Sequence, residues 1–224
     1  MDLIKDALSQ GRSALSEHES KQLLKVFDIP VNRELMASDA ESAASCASRI
    51  GFPVVLKAAG TALFHKTEVE GVVLNLRNED ETKREAERLL KIRGCDSLLV
   101  EEMVKGGREL ACGLIRDPLF GPCVMFGLGG ILTEILKDTV FRLAPLTRYD
   151  ALEMASEIRG NKILQPFRGE AAVDMEILAH ILIAMGEIGV KHPEVVEIDI
   201  NPLKIRFDGK PVAVDALVVL KKTE

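Results

Sequence analysis

The sequence predicts an α+β fold in two lobes, and three observations carry that expectation. Up to about residue 103, stretches with apolar residues at helical spacing alternate with short apolar strand-like runs. From Arg108 the texture changes to closely spaced strands, divided by Asp117-Pro118, Gly121-Pro122, Gly127-Leu128-Gly129-Gly130 and Lys137-Asp138. Two further helical stretches then precede a closing pair of strands around an Asp208-Gly209 turn. The expected division is 1–103 and 104–224, with the strand at 98–103 as the hinge.

The first 28 residues read as two helices separated near Gly11. In the second, Ser16 and Glu19 form an S-x-x-E capping box ahead of Leu23, Leu24 and Phe27. Ile29-Pro30 ends it, and a short strand over 31–36 follows. Ser38 is expected to cap a small-residue helix over 39–50, which stops at Gly51. Residues 53–58 form a buried strand with Lys57 near its end. An irregular stretch over 60–70 leads to a strand at 72–76, a charged helix over 79–93 and a strand over 96–103. Strands are then expected at 110–115, 123–126, 131–136 and 140–143. Helices follow at 148–159 and 174–187, the second ended by Gly189, and strands at 195–200 and 212–219 close the chain.

At 224 residues the chain is long enough to bury a sizeable core, and 47% hydrophobic with 29% charged residues is ordinary for a globular protein. The net charge, 29 − 35 = −6, argues against broad nucleic-acid binding, which needs a basic face. Eight Phe, one Tyr and no Trp disfavour base-stacking platforms. No run of 18 apolar residues is present, so no membrane span is expected. The start lacks the basic-then-apolar order of a signal peptide, and a cytoplasmic location is expected. Cys46, Cys95, Cys112 and Cys123 form no CxxC pair and read as buried thiols in a reducing compartment.

Five places could carry chemistry. In Glu197-Ile198-Asp199-Ile200-Asn201-Pro202-Leu203, strand alternation puts Glu197, Asp199 and Asn201 on one face. Such a row of oxygen ligands suits a hard cation such as Mg²⁺, the alternative being a solvent-facing edge strand. Asp215 lies in an otherwise apolar strand and calls for a metal or cationic partner. A three-residue loop of Phe207-Asp208-Gly209 would pair Arg206 with Lys210 and set Asn201 opposite Asp215 on the same face; a two-residue loop would point them apart. The three-residue loop is the expectation. Lys57, delivered by a rigid strand, suits a phosphate, although strand-end lysines often only reach solvent.

Glu101-Glu102-Met103-Val104, with Glu109 further on, suits a hinge that reads an adenine edge and ribose hydroxyls, or simply a charged strand end. His65, with Glu68 to orient it, could act as a phosphoryl nucleophile or be a surface-loop histidine. The Gly127–Gly130 run permits close backbone approach to a ligand, but it is neither a phosphate-binding loop of the G-x-x-x-x-G-K type nor a dinucleotide fingerprint.

Taken in order, these motifs resemble the ATP-grasp family, and within it the β subunit of ADP-forming acyl-CoA synthetases of the acetyl-CoA type. The resemblance rests on Gly51 to Lys57, Leu63 to Val72, Glu101-Glu102-Met103 with Gly107 to Leu110, Asp117 to Pro122, Gly127 to Gly130 with Glu134, Phe167-Arg168-Gly169, and Glu197 to Leu203. It implies an ATP-grasp fold, two α/β lobes with the nucleotide in the cleft between them. Lys57 would contact phosphates, and Glu101, Glu102, Met103 and Val104 would hold adenine, with Glu109 on the ribose. Asn201 and Asp215, with Asp199 nearby, would bind Mg²⁺. Arg142 would contact the γ-phosphate, and His65 matches the family's phosphorylated histidine.

The implied reaction interconverts acyl-CoA + ADP + Pi and acid + ATP + CoA through phosphohistidines. The partner would be a CoA-binding α subunit in an α2β2 assembly, handling the acyl group and CoA. Glu70 stands where the family often has glycine. Two other readings are a succinyl-CoA-synthetase-like nucleotide subunit, disfavoured by His65-Lys66-Thr67-Glu68, and a nucleotide-binding regulatory module, disfavoured by intact Lys57, His65, Asn201 and Asp215.

Overall fold

The structure is a computed structural model that describes residues 3–60, 70–130 and 136–221. The chain forms two units, each with its own core: residues 1–31 with 105–224, and residues 32–104. The sequence reading placed its division at residue 103 and kept the first 31 residues with the amino-terminal lobe; the contacts group those residues with 105–224. Helices α1 (Leu3–Ser9) and α2 (Glu17–Val26) belong with the carboxy-terminal residues. The reason is packing: Ile4, Ala7, Leu15, Leu24 and Ile29 are buried in the same core as Met185 and Ile198. Between the two helices the chain pairs with the last strand, Leu15 N donating to Val218 O at 2.9 Å and Leu220 N to Ser13 O at 2.8 Å. That pairing covers what would otherwise be an open sheet edge. Ser16 and Glu19 form the expected capping box.

The smaller unit is a four-stranded antiparallel sheet in the order β1-β4-β2-β3, made of β1 (Glu34–Ala37), β2 (Val54–Ala59), β3 (Val72–Leu76) and β4 (Ser97–Glu102). Helices α3 (Ala40–Ile50) and α4 (Glu79–Leu89) cover one face, burying Val54, Leu56, Ala58, Leu98 and Val100. Asp39, rather than Ser38, caps α3: its carboxylate accepts from Ser42 N at 2.8 Å, and Ser38 Oγ donates to that carboxylate. Strand alternation turns Val55, Lys57, Leu99 and Glu101 to the opposite face.

The larger unit carries a six-stranded sheet in the order β10-β8-β5-β6-β7, with β9 also pairing β8. Its strands are β5 (Arg108–Asp117), β6 (Gly121–Leu128), β7 (Thr139–Leu143), β8 (Val195–Ile205), β9 (Pro211–Ala213) and β10 (Leu217–Leu220). The strand expected over 131–136 falls almost wholly on residues 131–135, outside the described residues. Helices α5 (Arg148–Glu157) and α6 (Met175–Lys191) pack on one face of the sheet, over Leu114, Val124, Phe126 and Ile198. Gly189 does not end α6, as the sequence led one to expect. It lies where the helix meets β5 and β6, and a side chain there would strike Leu114 and lie 2.7 Å from the Pro122 ring.

The other face carries two rows that follow from the register. One is Leu217, Asp199, Gly113, Met125 and Phe141; the next is Val219, Glu197, Ile115, Cys123 and Leu143.

Candidate functional site

In β8 the sequence alternation holds as expected. Ile198 and Ile200 enter the core, while Glu197, Asp199 and Asn201 face away from it. A bulge then intervenes, because β5 pairs Cys112 with Ile200 but Leu110 with Leu203. The extra residue falls at Asn201-Pro202 and changes the phase of the alternation. Leu203 and Ile205 are therefore buried too, and Lys204 joins the polar face opposite Glu109.

The Phe207-Asp208-Gly209 loop is the three-residue form: Arg206 N donates to Lys210 O at 3.0 Å, Gly209 N to Arg206 O at 2.9 Å, and Gly209 has φ 87°. The pairs Leu203 with Ala213 and Asp199 with Leu217 share one register, and continuing it through residues 214–216, which leave the strand between β9 and β10, brings Asp215 across from Asn201. Asp199 is held near them. Its burial, then the charges of Glu197 and Asp215, push its carboxyl up to about 6. Mutual repulsion among carboxylates on one strand face is what a bound cation relieves.

Among the described residues no three His, Cys, Asp or Glu side chains converge into a metal cage by themselves. The donor set is instead carboxylate plus amide oxygen, which fits Mg²⁺ completed by phosphate and water oxygens. Asn201 Oδ1 accepts from Gly130 N at 3.1 Å, so the glycine-rich turn is tied to this face. Gly130, at φ 61°, sits against the Glu109 carboxylate, which a side chain there would displace. Glu109 in turn pairs with Lys204 Nζ at 3.2 Å, and Lys204 Nζ also reaches Gly106 O at 3.5 Å. Lys204 was invisible to sequence reasoning because only the bulge turns it toward Glu109.

Arg142 is not brought to this face. It sits in line with Val124, Leu114 and Ile198, on the helix-covered side of the sheet. There its guanidinium binds Glu153 at 3.0 Å and Glu157 at 2.5 Å on α5.

In the smaller unit, Lys57 is buried and its Nζ lies 3.2 Å from Glu101 Oε2. Glu101 also accepts from Asn32 Nδ2 at 3.3 Å. Glu101 is thus part of the lysine's setting, where the sequence reading gave it to adenine. Glu102 is tied to Arg33 through Nε at 3.4 Å, and half-buried Met103 and buried Val104 follow it. Asn32 was missed by sequence reasoning; its buried Oδ1 has no hydrogen-bond partner among the described residues. The available signal was a polar residue just past Ile29-Pro30-Val31. His65 and Glu68 lie outside the described residues, as does Glu134.

A family model for the ATP-grasp domain matches residues 6–220. The chain belongs to the ATP-grasp family. The chain is 41% identical to the Pyrococcus furiosus acetate–CoA ligase [ADP-forming] I subunit beta, over 98% of this chain and 97% of that one. It is 38% identical to the Archaeoglobus fulgidus acetate–CoA ligase [ADP-forming] I, over 98% of this chain but only 33% of the relative. Among solved structures it is similar to the Ca. Korarchaeum cryptofilum acetyl-coenzyme A synthetase 1 in complex with coenzyme A and Mg-AMPPCP, whose phosphohistidine segment points towards the nucleotide binding site. The TM-score is 0.86 at 42% identity, over 98% of this chain and 99% of that one. The ATP-grasp fold expected from the motifs is therefore the fold of this chain, with the acid row on the carboxy-terminal sheet and Lys57 on the central strands of the smaller one.

Proposed function

We propose that this ATP-grasp chain is the nucleotide-binding β subunit of an ADP-forming acyl-CoA synthetase, working in the cytoplasm with a CoA-binding α subunit in an α2β2 assembly. The reaction interconverts acyl-CoA + ADP + Pi and acid + ATP + CoA. The observation that supports the reading most is the shared register of β9 and β10 on β8, together with Asp199, whose carboxyl is pushed up by burial, Glu197 and Asp215. Near-full-length similarity to the beta subunit from Pyrococcus furiosus supports the same assignment.

The residues divide the work as follows. Asn201 and Asp215, with Asp199, would hold Mg²⁺, which when bound offsets negative charge on the transferring phosphoryl group. Lys57, fixed by Glu101, adds a point charge for the nucleotide phosphates. Glu109, paired with Lys204, would accept from ribose hydroxyls, and Glu102 to Val104 would contribute to holding adenine. Arg142 has no part in this reading, since α5 holds it on the far face. His65 is the covalent carrier. Its imidazole nitrogen attacks the γ-phosphorus of ATP, the bond to the bridging oxygen breaks and ADP leaves; the reverse step makes ATP.

Incubation with ATP labelled at the γ-phosphate and Mg²⁺ tests this. Acid-labile, base-stable label on the wild type, absent from His65→Ala, is the expected result. Wild-type protein that binds nucleotide yet never acquires such label, with or without the α subunit, would leave a nucleotide-binding module instead.

A further inference from the structure

The open face of the larger sheet is acidic at β8 and apolar beyond it. Ile115 is 45% exposed, Phe141 47% and Leu143 52%, with half-buried Met125 and Cys123 among them. The register places all five on one face: Ile115 beside Cys123 beside Leu143, and Met125 beside Phe141. At the end of the β5–β6 hairpin, Leu119 is 86% and Phe120 69% exposed. The hairpin end is not slack. The Asp117 carboxylate accepts from Leu119 N at 2.8 Å and Phe120 N at 2.9 Å, so the turn is organised before anything binds it. Ile115, Phe141 and Leu143 alone present on the order of 300 Å² of surface on this face, the size of the largest apolar patch on a typical monomer.

We infer that this β5–β6–β7 face is the docking surface for the CoA-binding α subunit, and that the α subunit meets it with an apolar centre and a basic rim. This rests on the β-subunit reading above. Charge selects the occupant. Glu197 faces Ile115 and Asp199 faces Gly113 along one border, Asp117 stands at the hairpin, and the chain carries a net −6. A second copy of this chain would bring the same acids and the same net charge, whereas a basic rim is attracted. Position agrees with charge. From Asp199 to Phe141 is three strand spacings, about 14 Å at roughly 4.8 Å each. A subunit seated here lies beside the acid row that would hold Mg²⁺.

The test reconstitutes the full chain with the α subunit and follows complex formation by light scattering. Phe141→Glu with Leu143→Glu is expected to weaken association at least tenfold, while Mg²⁺–ADP affinity stays within twofold and shows that the fold is intact. Without any substitution, the α subunit should protect Cys123 from alkylation, read by mass spectrometry at pH 8.5–9. That pH is chosen because burial, and then Asp117, hold this thiol above its usual range. Undiminished association of the double variant, or equal Cys123 labelling in the complex, overturns the docking face and leaves the β-subunit reading standing. Self-association of the chain that the double variant abolishes assigns the face to a second copy, which also overturns it. A wild-type chain that forms no complex at all removes the β-subunit reading, and the docking face with it.

Discussion

Asp199→Asn gives the sharpest single perturbation of the acid row. The wild-type carboxyl titrates near 6 in the folded chain against an ordinary 3.8, raised by burial first and by Glu197 and Asp215 after it. The raised value means the folded state holds this proton more tightly than the unfolded state. The carboxyl therefore costs nothing well below pH 3.8, and its penalty grows as pH rises towards 6 and is complete above that. Raising an acid from 3.8 to about 6 corresponds to about 3 kcal/mol of lost stability at pH 7.5. In EDTA, Asn at this position should recover most of that, shifting the thermal midpoint of a chain this size upward by roughly 6–12 °C. The difference between variant and wild type should shrink steadily between pH 6 and pH 4. Paired denaturation curves across pH 4–8 in EDTA measure it. A variant no more stable than wild type at pH 7.5, or a difference that grows toward low pH, would refute the account of Asp199 as a repelled carboxylate awaiting a cation. Adding Mg²⁺ with ADP should then stabilise the wild type more than the variant.

Other substitutions test separate parts of the account. Lys57→Met strands the buried Glu101 carboxylate and should cost about 3–5 kcal/mol in urea denaturation. Adding Glu101→Met to it should restore most of the stability but not nucleotide affinity. Gly189→Ala should cost about 1–3 kcal/mol by driving α6 off Leu114 and Pro122, with nucleotide affinity unchanged. Arg142→Met removes two partly exposed ion pairs and should lower stability by about 1 kcal/mol or less, with turnover of the reconstituted enzyme within twofold of wild type. A hundredfold loss of turnover would return Arg142 to the phosphate site.

Much of the fold was legible because local signals and tertiary packing agree. The Ser16–Glu19 capping box and the Gly209 loop each led to the observed element. The pairing of Leu203 with Ala213 and of Asp199 with Leu217 was legible for the same reason, since a turn type fixes the register of the strands that leave it. Four things were not legible. The placement of α1 and α2 depends on Leu15 pairing with Val218, more than 200 residues away in sequence, which no local pattern encodes. The side taken by Lys204 depends on the bulge at Asn201-Pro202, and that of Arg142 on strand order. Gly189 reads as a helix stop in sequence, but its small size serves the close approach of α6 to the sheet. In the smaller unit, Lys57 and Glu101 each looked like a separate ligand contact; only the β2–β4 register shows that they meet.

No helix among the described residues is long and apolar enough to cross a membrane. The most direct measurement is calorimetry of ADP binding with and without Mg²⁺, for the wild type and for Asp215→Asn. The account predicts that Mg²⁺ tightens ADP binding to the wild type at least tenfold and that the substitution abolishes this gain. Equal tightening in the variant would contradict it, because Asp215 opposite Asn201 would then hold no cation.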